Sequence, residues 1–195
     1  MSKFDEMKKV RDEVFALIGP LSDYRNENKY FAVLGEGSHD SRIMFVGEAP
    51  GRNEAKTGRP FCGAAGKILD DLLASVEIPR KEVYITNIVK DRPPENRDPL
   101  PSEIEAYGPF LNRQIDIIQP KVIATLGRFS MDYIMRKFDL GFIIEPISRA
   151  HGKLYDAQAS YGPIKILPLY HPAAAIYNQS LKDTLKKDFQ ALKVL

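Results

Sequence analysis

Three short segments of this chain hold most of the side chains that could make or break a bond. The first is GEAPGRNEAKTGRPFCGAAGK, residues 47–67, which sets the carboxylates Glu48 and Glu54 and the ring of Phe61 on a stretch rich in glycine and proline. A fixed carboxylate can orient or deprotonate a water. An aromatic face can stack a planar ring. A glycine-rich turn opening a helix can offer backbone N–H groups to an anion. The spacing is not that of a Walker loop, because Phe61 stands at the first Gly position and Ile68 at the Ser/Thr position. It is not a G-x-G-x-x-G turn either. The second segment is TNIVKDRPPENRDP, residues 86–99. Its Asn87 carries an amide that can read a donor–acceptor edge. Lys90, Arg92 and Arg97 follow on a backbone restricted by Pro93, Pro94 and Pro99, so the segment reads as a stiff loop presenting cations. The third is LYHPAAAI, residues 169–176, around His171. The only other histidines are His39 and His151, and no His or Cys stands at metal-ligand spacing from His171. Singly, a loop carboxylate is usually solvated and a Phe usually core, and an Asn at a strand end is usually a cap or turn residue. The argument rests on the three segments together.

Something must bring them together. Four apolar, β-branched runs, 42–46, 83–88, 122–126 and 164–169, read as buried strands bounded by Gly, Pro or Asn. Between and around them lie helical patterns. Residues 3–18 are amphipathic through Phe4, Met7, Val10, Val14, Phe15 and Leu17, and stop at Gly19-Pro20. Further helices are expected over 64–76, 101–118, 130–138 and about 181–192. Strands alternating with helices imply a mostly parallel sheet covered on both faces. Such sheets bind ligands beyond the carboxyl ends of their strands. Gly47-Glu48, Asn87, Gly127-Arg128 and His171 all fall there.

Composition sets the outer limits. The chain has 195 residues and a formal net charge of +2, consistent with one domain over 1–195. A nucleic-acid partner is compatible with that charge but not required by it. One cysteine, Cys62, excludes an intrachain disulfide and any four-thiolate site within the chain. The N-terminus lacks the continuous apolar core of a signal peptide, and no apolar run nears the roughly 20 residues of a membrane span. A cytoplasmic location without membrane contact is expected.

Together the motifs GEAPG, GRPF-x-GAAGK, TN-x-VK-x-RPP-x-NRDP, the strand PKVIATLGR and YHPAA resemble the uracil-DNA glycosylase superfamily, most closely its family 4, over about residues 33–178. The resemblance implies an α/β fold, a three-layer α/β/α sandwich around a four-stranded parallel sheet. It implies a base-flipping enzyme that hydrolyses the N-glycosidic bond of uracil in DNA and leaves an abasic site. By motif, Glu48 matches the carboxylate that orients the attacking water. His171 matches the group that hydrogen-bonds uracil O2. Phe61 matches the ring stacked on the flipped base, and Asn87 the amide that reads its edge. Gly47 and Ala49 flank Glu48 in the pocket motif, and Glu54 and Asn96 match supporting positions. Arg59, Lys67, Lys90, Arg92, Arg97 and Arg128, with Lys56, are expected at the DNA backbone. No lysine stands in an obvious nucleophile position, so hydrolysis without a lyase step is expected.

Three features depart from the family pattern. Family 4 members usually bind a [4Fe–4S] cluster through four cysteines. The matching positions here are Ala16, Gly19, Asp91 and Tyr107, so no cluster, metal or other cofactor is expected, and packing around Tyr107 is a candidate substitute. Cys62 stands where a small apolar residue is usual and reads as a small buried hydrophobe. The leucine wedge after the His-Pro pair is replaced by Ala173, Ala174 and Ala175, leaving Ile176 as the first bulky candidate. A weak wedge implies a preference for single-stranded or mismatched uracil over a U·A pair. His151 stands where Arg is common and reads as a surface turn residue. Two alternatives stay open: a broader glycosylase acting on hypoxanthine or xanthine, and a catalytically silent uracil-DNA binder. A monomer is expected.

Overall fold

The four apolar runs form the parallel centre of the sheet in the computed structural model, which describes residues 2–194. They are β2 (Ile43–Gly47), β3 (Tyr84–Asn87), β4 (Val122–Leu126) and β6 (Gly162–Leu169), paired in the order β3-β2-β4-β6. The sheet has six strands rather than the four expected. β1 (Glu36–Gly37) and β5 (Tyr155–Ala159) add antiparallel edges beside β3 and β6. Neither edge announces itself as an apolar run: β1 is two residues long, and β5 reads Tyr-Asp-Ala-Gln-Ala.

Each central strand feeds both faces, as a period of two requires. On β2, Met44 and Val46 enter one core and Phe45 the other. The first core is closed by α1 (Lys3–Ala16), α5 (Pro101–Ile118) and α6 (Arg128–Lys137), through residues such as Val14, Leu111 and Ile134. The second is closed by α4 (Ala64–Ser75) and α8 (Gln179–Phe189), through Leu69, Leu72, Leu185 and Phe189. The result is the three-layer α/β/α arrangement.

Three helices were not legible. The first helix ends at Ala16, and Pro20 then starts α2 (Pro20–Glu27) at its first turn, where a missing N–H is harmless. Its sequence, PLSDYRNE, has too few apolar residues for a helical stripe. The glycine-rich segment is also not one irregular turn, since it contains α3 (Arg52–Thr57). A four-residue turn, α7 (Ile147–Ala150), precedes β5. From β2 the chain steps to β3 on one side, then returns to β4 on the other. That reversal leaves a crevice at the carboxyl ends of these strands.

Candidate active site

A cleft of about 340 Å³ opens there, lined by Glu48, Ala49, Gly51, Glu54, Phe61, Ala65, Asn87, Asn96, His171 and Ala173. Its size suits a small planar ligand. Seven of the eight residues expected at the substrate line it. Gly47 lies beneath it instead: a Cβ there would stand 2.3 Å from Asn87 Oδ1 and 2.9 Å from Phe61 Cζ. The floor needs glycine because two pocket side chains lie directly over the backbone.

Glu48 follows β2 and is half-buried, with its carbonyl accepting from Val89 N–H at 3.0 Å. Burial, and then the negative charge of Asp98, push its carboxyl up to about 7, while Arg128 pulls the other way. A carboxyl titrating near neutrality is suited to handling a water proton. His171 follows β6. Burial pushes its imidazole down to about 4, against the pull of Glu54, so it is neutral at pH 7. Its Nδ1 lies 3.1 Å from Ala173 N and accepts that N–H. An accepting Nδ1 leaves the ring proton on Nε2, so the neutral ring is a donor at its other end.

Phe61 packs against His171 with ring centroids 5.6 Å apart and 30° between planes. It is buried and has φ of 48°, in the left-handed region that a bulky residue rarely occupies. Two contacts hold it there. Gly66, in the first turn of α4, lies so close that a Cβ would stand 1.8 Å from Phe61 O. Glu54 Oε1 accepts from Cys62 N and Gly63 N, both at 3.1 Å, replacing the side-chain cap that Gly63 cannot supply. Cys62 is exposed rather than a buried hydrophobe. The strained turn aims Phe61 inward and its neighbour outward, and Cys62 Sγ lies 3.3 Å from Thr57 Oγ1.

Asn87 closes β3 in register with Gly47. Its Oδ1 is buried and lacks a hydrogen-bond partner. An orphaned buried acceptor is worth roughly 1–3 kcal/mol in lost desolvation, and it lies where a ligand donor could meet it. Behind it stands Lys90, which is fully buried. Its ammonium donates to Asn87 O at 2.6 Å, Thr86 Oγ1 at 2.8 Å and Gln114 Oε1 at 2.6 Å, and burial pulls its pKa well down. Lys90 therefore braces the recognition strand and cannot reach a phosphate. Arg92 is likewise buried, donating to Asn96 Oδ1 and Tyr24 OH. The reading of both as DNA-facing cations is corrected. The chain past β3 turns inward and needs cations to satisfy buried acceptors.

The remaining cations are outside. Lys56 and Lys67 are exposed, while Arg59, Arg97 and Arg128 pair with Glu36, Glu103 and Asp98 at 2.8, 2.6 and 2.8 Å. Ile176 is half-buried against the second core, so it is not a free wedge. The fully exposed bulky side chain of that turn is Tyr177. Nothing in the residue type singled it out, although its position beside Ile176 could have. His151 is no simple surface residue. Its Nδ1 lies 2.7 Å from Asp188 Oδ2 and its ring 4.6 Å from the Tyr170 ring, which ties the end of β6 to α8. Among the described residues no group of three or more His, Cys, Asp or Glu side chains is arranged to hold a metal, and no helix is long and apolar enough to cross a membrane.

Comparison with known proteins agrees with this geometry. The family model of the uracil DNA glycosylase superfamily matches residues 34–193. A type-4 uracil-DNA glycosylase of Sulfurisphaera tokodaii is 46% identical over 193 residues, covering 98% of this chain and 85% of the relative. One from Archaeoglobus fulgidus is 47% identical over 160 residues, covering 82% of this chain and 79% of the relative. One from Saccharolobus solfataricus is 46% identical over 163 residues, covering 83% and 74%. With a matched model across most of its length and a cleft built from the expected side chains, the chain belongs to the uracil-DNA glycosylase superfamily.

Proposed function

We propose that this chain is a uracil-DNA glycosylase of base excision repair, a single-domain monomer that flips uracil from DNA and hydrolyses its N-glycosidic bond without cutting the strand. The observation that carries the reading is that Glu48, Phe61, Asn87 and His171, from three separate segments, line one cleft. A base within a duplex is out of reach, so it must be extruded, and stacking on Phe61 offsets part of that unstacking. The Asn87 amide accepts from uracil N3–H and donates to O4. Cytosine presents the reverse pattern, and a bidentate contact of this kind discriminates by roughly 1–3 kcal/mol. Glu54 is the candidate for excluding the thymine 5-methyl, and Asn96 supports the base at the rim.

As the bond breaks, the sugar gains positive character and uracil leaves as an anion. His171 Nε2–H donates to O2, where negative charge grows, and stabilisation there accelerates the chemistry. A neutral imidazole performs this without first losing a proton. Ionised Glu48 holds the water that attacks the sugar carbon. No lysine among the described residues lines the cleft, so the product is an intact abasic strand. Arg59, Lys67, Arg97 and Arg128 face the backbone of the DNA, and Tyr177, rather than Ile176, fills the gap left by the base. Single-stranded or mismatched uracil reacts faster than U·A, because unpairing adds to the barrier. No cofactor takes part, and the protein works in the cytoplasm.

The test is a panel of oligonucleotides carrying one U, hypoxanthine, xanthine or T, single-stranded and paired, scored for alkali-labile cleavage. Cleavage at U, absent without alkali and absent at T, is expected. Cleavage at hypoxanthine or xanthine with none at U would assign a different base. Tight binding to U-DNA with no cleavage would make the chain a silent binder.

A further inference from the structure

Two consecutive residues beyond β3, Asp91 and Arg92, are buried and reach back to the N-terminal helices. Asp91 Oδ2 accepts from Arg25 Nη1 of α2 at 3.0 Å and from Tyr107 OH of α5 at 2.6 Å. The same guanidinium donates to Val14 O at 3.4 Å and Phe15 O at 3.1 Å. Those carbonyls belong to the last turn of α1, where Val14 O also accepts the C-cap N–H of Leu17 at 3.3 Å. One ion pair and one phenol thus join α1, α2, the segment after β3 and α5.

These are the segments that the family resemblance would fasten with a [4Fe–4S] cluster, at positions 16, 19, 91 and 107. The residues present do not fit one. Ala16 and Gly19 carry no donor atom, Tyr107 OH is engaged with Asp91, and both Asp91 oxygens are taken by Arg25. Iron–sulfur clusters are held by thiolates, and none stands here.

The neighbouring residue carries the connection to the cleft. Arg92 Nη1 donates to Tyr24 OH of α2 at 3.0 Å, and its guanidinium lies 5.7 Å over the Tyr30 ring. Its Nε donates to Asn96 Oδ1 at 2.7 Å. Asn96, held at φ of 55°, lines the cleft. With Oδ1 taken by Arg92, the end of the amide left for a bound base is the Nδ2 donor.

We infer that Arg25, Asp91 and Tyr107 form a metal-free clasp that does the fastening, and that Tyr24 and Arg92 are positioning residues that set the Asn96 amide from α2. The second half rests on the uracil-excision reading. The first does not.

Three measurements on the whole protein test it. Protein purified from iron-replete cells should carry no stoichiometric iron and no absorption near 400 nm; a stoichiometric cluster would overturn the clasp. Asp91→Ala, which strands a buried guanidinium, should lower Tm by about 10 °C, and Arg25→Met with Asp91→Leu should recover at least half of that. A Tm for Asp91→Ala within about 2 °C of the parent would overturn it as well. Tyr24→Phe should lower kcat/KM on single-stranded uracil DNA about 5-fold with Tm nearly unchanged, and should cause no further loss in an Asn96→Ala background. An undiminished loss in that background, or no loss in the parent, would overturn the relay. If the parent excises no uracil, the relay falls with that reading, while iron content and melting still decide the clasp.

Discussion

Glu48 and His171 are displaced from their solution pKa values in opposite directions, and both displacements favour catalysis near neutrality. With Glu48 titrating at about 7 and His171 at about 4, kcat on single-stranded uracil DNA should rise with pH through about 7 and then level. A steady-state profile from pH 5 to 9 checks this, and Glu48→Gln should flatten it with a loss of about 100-fold or more. His171→Ala should lower kcat by about 10²–10³ with DNA affinity nearly unchanged. Stability follows the same shifts. The folded Glu48 pKa is raised, so the native state holds the extra proton, and stability falls as pH rises from 4.5 to about 7, by about 1–2 kcal/mol once solvent screening of this half-buried group is allowed for. The folded His171 pKa is lowered, so stability falls as pH drops from 6.5 to about 4, by a similar amount. The two terms oppose each other between pH 4.5 and 6.5. Glu48→Gln should therefore raise Tm at pH 8 even as it lowers activity, as a melting curve beside the rate profile would show. Glu48, Asn87 and His171 were legible because each stands in a motif at a strand end, and Phe61 because it stands in the motif that leads into α4. Lys90 was not. Its charge suggests a surface, and its burial depends on acceptors from Thr86, Asn87 and the distant Gln114.

At the scale of elements, the stretch from Gly51 to Gly66 fixes the stacking ring. Phe61 sits in a strained conformation that α4 enforces from below through Gly66. Gly66→Ala would place its methyl 1.8 Å from Phe61 O, so the turn must open. The substitution should cost about 2–3 kcal/mol by urea unfolding and cut uracil excision about 10-fold or more, whereas Ala65→Gly in the same turn should cost only about 1 kcal/mol. The sequence placed α4, α5 and the central strands closely, because apolar periodicity marks an element that buries one face or both. It missed α2, β1 and β5, which are short and polar and are held by partners elsewhere: α2 by Arg25 to Asp91, β1 by β3, and β5 by β6. Such elements leave little local signal because their stability comes from contacts distant in sequence.

On the scale of the whole molecule, the formal charge is only +2, and three of the four cations proposed to face DNA, Arg59, Arg97 and Arg128, already pair with carboxylates. With Arg59, Lys67, Arg97 and Arg128 as the contacts, log affinity for single-stranded DNA should fall against log salt with a slope no steeper than about −3, measurable by fluorescence anisotropy. Tyr177→Ala should lower kcat/KM on a U·A duplex about 10-fold and change the single-strand rate less than about 3-fold. The central claim is tested most directly by incubating the purified protein with a single-stranded oligonucleotide carrying one uracil and quantifying the released base by mass spectrometry. Free uracil equal in amount to the abasic sites formed, and lost with His171→Ala, is the expected result. An oligonucleotide that stays bound and intact, with no free uracil over many hours, would contradict it.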